Sequence, residues 1–374
     1  MNVIGNIFDS SGYSIHTREL ANALNKLTKV SLKTNLIPGW ERLVSDEELE
    51  MIKREPDDIN LIITNPLNWR LHTTAKRNWV YLVWEGDKVP DYFIEECLNP
   101  DIEYIFVPSK HTISAILMTS ELKLVKRIIQ KISIFTIYNQ DTEKIQEKLK
   151  LIPHGVDLNK FYPINSPAGK GGEPVKGSPS RFTFLVNKGF RHLEDRGGTQ
   201  YAIKAFIEEF KNEDVKLLIK INPAYGVPDL QKILKELGYT GDKIIFDFNH
   251  YDYNDLVKLY NKCEVFVAPT RAEAFGLPMI EAMACGLPVI TTDFGGQTDF
   301  CTNKTGWLIP GKLTEVKHEL QYEGINWLTP DIKKLREAMR VAYSKDLTKL
   351  KENALKTAKQ YTWENTAKKI ISLI

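Results

Sequence analysis

TRAEAFGLPMIEAMACG, Thr270 to Gly286, follows a short β-branched and aromatic run at Val265 to Ala268. The run reads as a strand. Gly276 lies in the loop after it, Pro278 suits a first helical turn, and Gly286 is placed to end that helix, predicted over Pro278 to Ala284. Amides near Phe275, Gly276 and Leu277 would carry the positive end of the helix dipole, a seat for phosphate or for polar hydroxyls. Glu273 falls just before the helix and Glu281 about one turn inside it. Two carboxylates there can accept hydrogen bonds from vicinal diols such as those of a ribose or a hexose. From spacing alone the alternative stays open: a solvated helix acid at Glu281 and a capping acid at Glu273.

The strand-then-helix alternation extends in both directions. Toward the amino terminus, strands are predicted at Phe182 to Val186, Lys216 to Ile221 and Lys243 to Phe248, with helices at Thr199 to Lys211, Leu230 to Leu237 and Tyr253 to Asn261. A strand at Pro288 to Thr291 and several helices beyond Asp331 follow the motif. Further upstream come strands at Asn2 to Phe8, Val30 to Leu36, Asn60 to Thr64, Trp79 to Trp84 and Tyr104 to Val107, and helices at Ser14 to Lys26, Asp46 to Lys53 and Asp91 to Cys97. Repeated strand and helix argue parallel sheets with helices on both faces. Ile164 to Ser180, INSPAGKGGEPVKGSPS, has ten Gly, Pro or Ser among 17 residues and cannot bury a core. The expected organisation is a first domain over 1–163, a flexible linker over 164–180 and a second domain over 181–374. The fold class is α/β, with two Rossmann-like domains whose parallel sheets face a cleft.

Of the 374 residues 43% are apolar and 26% charged, as in ordered globular proteins. Lys and Arg number 50 against 48 acids, with 20 and 22 of them through Pro163. That even balance argues against a nucleic-acid partner. Cys97, Cys263, Cys285 and Cys301 are scattered without a C-x-x-C pair, so neither a disulfide framework nor a zinc site is expected. No signal peptide or spanning apolar run is read, and the expected location is cytoplasmic.

Two further features bear on chemistry. Arg191 and Arg196, in NKGFRHLEDRGGTQ, follow a predicted strand and precede a helix. Guanidinium groups so placed can clamp a diphosphate, or they can pair at the surface with Glu194 and Asp195. Near the amino terminus, DSSGY joins the first strand to a helix, and Gly12 would let backbone approach a ligand. Neither G-x-G-x-x-G nor a P-loop is present, which counts against a dinucleotide dehydrogenase and a P-loop kinase.

Together these residues resemble glycosyltransferase family 4, retaining enzymes of the GT-B fold that use nucleotide sugars. Besides the Glu273 to Glu281 spacing, LIPHGVDLNKFYP (Leu151 to Pro163), LYNKCEVFVAPT (Leu259 to Thr270) and DFGGQTDF (Asp293 to Phe300) match, as do WEGDKVP (Trp84 to Pro90) and FVPSKHT (Phe106 to Thr112). The resemblance implies that Glu281 holds the donor ribose, and that Glu273 with the amides of Phe275 to Leu277 holds the transferred sugar. It implies that Arg191 and Arg196 bind the diphosphate and that the Gly12 loop closes over it. Phe190 stands where a glycine usually precedes the first arginine, and Arg196 replaces a lysine. Trp84-Glu85 occupies the place of a histidine in many relatives. Glu85 is the acceptor-side candidate, against a solvated strand-end acid. His154 reads as structural, and Trp307, Trp327 and Trp363 read as packing residues.

The activity so implied is transfer of a hexose, with retention, from a nucleoside diphosphate sugar to a glycan, lipid-linked or small-molecule acceptor. Cationic side chains and a helix dipole would stabilise the leaving group, with no metal or other cofactor expected. Rival readings are a phosphorylase or nucleotide-sugar epimerase on the same fold, or a sugar-binding homologue without turnover. Between Thr119 and Leu151 a segment carries Lys123, Lys126, Arg127 and Lys131 among apolar residues. Its 119–138 part reads either as a peripheral contact with the inner face of a membrane or as a surface packed on the sheet or on a second subunit.

Overall fold

The computed structural model describes residues 1–9, 11–130, 135–164, 182–190, 195–223, 226–317 and 319–374, with the side chains of 123–130, 135–139 and 320 left aside. The chain divides into two compact units: Met1–Gly155 with Val316–Ile325 and Trp363–Ile374, and Val156–Glu315 with Asn326–Thr362. The first predicted domain thus acquires two segments that composition assigned to the second. Most of the predicted linker, from residue 165 on, lies outside the described residues.

In the first unit, six strands form one parallel sheet: β1 (Asn2–Gly5), β2 (Ser31–Lys33), β3 (Ile59–Ile63), β4 (Arg77–Tyr81), β5 (Tyr104–Val107) and β6 (Leu149–Leu151). Their order is β2-β1-β3-β4-β5-β6. The chain moves outward from β1 on one side and returns to continue on the other, so the switch point lies between β1 and β3. Helices α1 (Gly12–Asn25), α2 (Asp46–Lys53), α3 (Asp91–Cys97), α4 (Lys110–Gln130) and α5 (Phe135–Lys148) connect them. Ser11 caps α1, its hydroxyl accepting from the Ser14 amide at 3.2 Å. A Cβ at Gly5 would meet Thr17 Oγ1 at 2.7 Å, so glycine there lets α1 lie directly on β1.

The second unit repeats the design with β7 (Phe182–Asn187), β8 (Val215–Lys220), β9 (Ile244–Asp247), β10 (Val265–Ala268), β11 (Val289–Thr292) and β12 (Gly306–Ile309), all parallel in the order β12-β11-β10-β7-β8-β9. Here the switch point lies between β7 and β10. Helices α6 (Thr199–Glu209), α7 (Leu230–Glu236), α8 (Tyr253–Asn261) and α9 (Leu277–Ala284) alternate with the strands. Strand alternation sorts the core into two layers. Phe184, Val186, Val265 and Val267 join one apolar cluster, while Leu185, Phe266 and Ala268 join the other. Each fully buried Leu or Phe contributes about 1.5–3 kcal/mol. After β12, an antiparallel pair, β13 (Gly311–Glu315) and β14 (Asn326–Pro330), leads to α10 (Ile332–Ser344), α11 (Thr348–Ala358) and α12 (Trp363–Ile371). Sequence patterning missed β6, β12, β13 and β14, extended the first strand past Gly5, and started α1 two residues late.

No described helix is long and apolar enough to cross a membrane. The side chains of Lys123, Lys126, Arg127 and Lys131, on which the membrane reading of 119–138 rests, lie outside the described residues.

Candidate functional site

At the switch point of the second sheet, β7 and β10 run side by side, pairing Val265 with Phe184 and Phe266 with Leu185. The loops after their carboxyl ends carry the site. Lys188 leaves β7 and forms an ion pair with Glu273, which lies in the loop after β10. Only 9% of the lysine side chain and 17% of the glutamate side chain are exposed, so the pair is shielded from bulk water. The DFGGQTDF segment backs Glu273: the Gly296 amide donates to the Glu273 carbonyl at 2.6 Å. Gly295 has φ +108°, and a Cβ there would sit 2.8 Å from that carbonyl, so glycine is required. Gln297, fully buried, donates from Nε2 to the Phe294 carbonyl at 2.7 Å and holds the loop closed.

Glu281 lies on α9, which starts at Leu277 behind Gly276 in the left-handed region, φ +101°. It is 9% exposed and takes a hydrogen bond from the Tyr260 hydroxyl of α8 at 2.9 Å. Asn187, the last residue of β7, donates from Nδ2 to the same hydroxyl at 3.1 Å. Burial, then the charge of Glu281, holds the Tyr260 phenol well above its ordinary pKa, so it remains a donor to Glu281. The solvated-acid reading of Glu281 therefore does not hold. Phe275 turns its ring into the core against Phe300, with centroids 5.0 Å apart, which leaves only its backbone to meet a ligand.

The Arg196 loop is fixed from behind. Its carbonyl accepts from the Arg271 amide at 2.8 Å and from Thr270 Oγ1 at 3.0 Å. Gly198, φ +77°, passes so close to the Pro269 carbonyl that a Cβ would collide with it, and a Cβ at Gly197 would stand 2.6 Å from the Gly189 carbonyl. Phe190 is fully buried in the core, so the residue replacing the usual glycine serves packing. Arg191, His192 and Glu194 lie outside the described residues.

Gly12 and Glu85 belong to the first unit. Gly12 is exposed at the start of α1, and a Cβ there would meet nothing within 4 Å. Glu85 is half-buried; its Oε2 accepts from the Tyr322 hydroxyl at 3.2 Å, and its carbonyl lies 2.9 Å from His111 Nε2. Tyr322 also stacks on Trp84, with centroids 4.9 Å apart. Glu85 is thus part of a polar and aromatic cluster that gathers the 316–325 segment. His154 is buried with its ring 4.2 Å from that of His16 and 5.7 Å from that of Trp363, a structural setting.

Residues 191–345 match the family model of glycosyl transferases group 1, a stretch that includes Arg191, Arg196, Glu273 and Glu281. A probable sucrose-phosphate synthase of Thermosipho melanesiensis is 28% identical over 62% of this chain and 48% of its own. The chain thus spans about half the length of the curated relatives it matches. Among solved structures, a glycosyltransferase from Rickettsia africae superposes with TM-score 0.67 at 16% identity, over 100% of this chain and 96% of that one. Anabaena HepE, solved in complex with UDP and glucose, gives TM-score 0.60 at 14% identity, over 100% and 98%. The fold is GT-B.

Among the described residues no group of three or more His, Cys, Asp or Glu is arranged to hold a metal ion. Two site residues escaped the sequence reading. Lys188 was visible as a cation two positions past the predicted strand Phe182 to Val186. Tyr260 sits in the quoted LYNKCEVFVAPT segment, but nothing in the sequence alone joins it to Glu281, 21 positions away.

Proposed function

We propose that the protein is a glycosyltransferase that moves a hexose from a nucleoside diphosphate sugar to a hydroxyl of an acceptor, with retention at the anomeric carbon. The observation that carries this reading is the arrangement at the second sheet's switch point. There the shielded Lys188–Glu273 pair and the Tyr260-bonded Glu281 flank the start of α9. A carboxylate already oriented by a phenol suits a ribose diol. Glu273, neutralised on one side by an ammonium, suits sugar hydroxyls. Arg191, Arg196 and the amides of Phe275 to Leu277 would meet the charge that grows on the departing diphosphate, so turnover should survive a chelator. In a same-face reaction the leaving phosphate oxygen takes the acceptor's proton, and no enzyme nucleophile is needed. The names of the relatives, a sucrose-phosphate synthase and a protein holding UDP and glucose, support a nucleotide-sugar donor.

The test is initial rate against donor concentration with uridine, guanosine and adenosine diphosphate sugars. Arg196→Ala should lower kcat by about 10²–10³, as for loss of one preorganised charge-stabilising group. Glu281→Ala should chiefly raise the donor KM. Wild-type kinetics in Arg196→Ala would remove the diphosphate assignment.

A further inference from the structure

The second sheet does not need the antiparallel ribbon of β13 and β14 to complete its alternation. The Asp331 amide donates to the Pro310 carbonyl at 2.9 Å, so the end of β12 and the start of α10 already meet, and 311–330 leaves and returns through one closed neck. Connections in α/β units usually take about two to six residues, and much longer ones usually serve function. Nor is the ribbon self-sufficient: β13 is almost wholly exposed, and two strands alone have little stability.

What the ribbon holds is Arg271. Its register pairs Thr314 with Trp327, which puts both side chains on one face. Arg271 meets them there: its Nη2 donates to Thr314 Oγ1 at 3.1 Å, and its guanidinium lies 5.5 Å from the centre of the Trp327 ring. Arg271 is 5% exposed and Trp327 1%. The backbone of Arg271 is tied on both sides. Its carbonyl accepts from the Leu328 amide of β14 at 2.8 Å, and its amide donates to the Arg196 carbonyl at 2.8 Å. Arg271 thus joins the Arg196 loop to both strands of the ribbon, two positions before Glu273. A buried guanidinium is a poor choice for stability alone, because an apolar side chain of similar volume often serves a core as well or better. What it adds is direction. A hydrogen bond and a ring contact lock the side chain in one pose, and with it the backbone that carries the site.

We infer that Arg271 is a positioning residue for the loops assigned to the donor diphosphate: the ribbon fixes its side chain, and its backbone fixes the Arg196 carbonyl. The inference rests on the transferase reading of Arg196 and Glu273.

The experiment uses three variants of the full chain. Arg271→Met keeps the volume without the guanidinium, Arg271→Lys keeps a cation over Trp327, and Thr314→Val keeps the branched shape without the hydroxyl. Circular dichroism and thermal unfolding of each should stay close to the wild type. With whichever of the uridine, guanosine or adenosine diphosphate sugars the wild type turns over fastest, Arg271→Met should lower kcat by about ten- to a hundredfold, the loss expected when reacting groups shift by about an ångström. By calorimetry its affinity for the matching nucleoside diphosphate should fall at least about tenfold, while its affinity for the nucleoside, which reports on the Glu281 side of the site, should hold. Thr314→Val should move both readouts in the same direction by less, and Arg271→Lys should recover part of the loss. Should Arg271→Met fail to fold, Thr314→Val decides. Folded variants with wild-type kcat and diphosphate affinity overturn the inference and leave the transferase reading intact. Equal losses for nucleoside and nucleoside diphosphate also overturn it, because they show a general loosening. A wild-type chain that neither binds nor turns over any of these nucleotides removes the transferase reading and this role with it.

Discussion

At the scale of single residues, glycines separate packing from binding. Gly198→Ala places a Cβ against the Pro269 carbonyl at a positive φ, and should destabilise the protein by at least about 2 kcal/mol. Gly12→Ala has open space around it and lies at a helix start, so thermal unfolding should be unchanged or slightly raised. If the Gly12 loop meets the donor diphosphate, that same variant should lose turnover without losing stability; retained turnover would remove Gly12 from the donor site. Tyr260→Phe leaves Glu281 and Asn187 each short of one partner in a buried setting, a cost of about 1–3 kcal/mol. Its donor KM should rise in the direction of Glu281→Ala. The carboxylates themselves were legible in the sequence because their spacing brackets a predicted helix start. Their partners were not, since Lys188 and Tyr260 reach them only through the adjacency of β7, α8 and α9.

At the scale of elements, the strands that the sequence revealed include those with β-branched runs buried on both faces, such as VFVA in β10 and VITT in β11. Those it hid lack that signal. GKLTE in β13 is almost wholly exposed, and LKL in β6 is a three-residue strand directly after a charged helix. The position of α12 was equally hidden, because its first-unit partners are distant in sequence. Trp363 stacks on His16 and His154, with the Tyr81 ring edge-on to His16 at 4.2 Å between centroids. Trp363→Ala should cost about 3–5 kcal/mol, as for other large aromatic truncations in a core. Complete burial, then the neighbouring His154 charge, holds the His16 imidazole well below its ordinary pKa of 6.5. The unfolded chain therefore takes up a proton as pH falls through about 6.5 while the folded chain does not. Stability should be flat above that value and fall below it by up to about 1.4 kcal/mol per pH unit from this group. Urea unfolding across that range measures the slope, and His16→Leu should flatten it; an unaltered slope would place the acid sensitivity elsewhere.

For the whole molecule, strand and helix alternation reads as two α/β halves but shows neither where the units first part nor the return of the chain. The first crossing falls at residues 155–156, ahead of the low-complexity stretch that composition reads as the linker. The others occur at residues 315–316, 325–326 and 362–363, inside ordinary-looking sequence. Their physical basis is a set of contacts made in the first unit by segments far along the chain. Lys88 Nζ donates to the Gly324 carbonyl at 2.6 Å, Thr366 Oγ1 to the Pro153 carbonyl at 2.7 Å, and Arg77 Nη2 to the Leu373 carbonyl at 3.2 Å. With Tyr322 on Trp84 and Trp363 on the histidine pair, these contacts bury aromatic surface that neither sequence half can cover alone. Cutting the backbone between the halves should therefore not release them. With a specific protease site placed within residues 165–180 and cleaved to completion, the two pieces should co-elute in size-exclusion chromatography at the position of the intact chain. They should part only in denaturant. Trp363→Ala in the cleaved protein should lower the denaturant needed to separate them. Pieces that separate under native conditions would show that the 316–325 and 363–374 segments do not hold the first unit together.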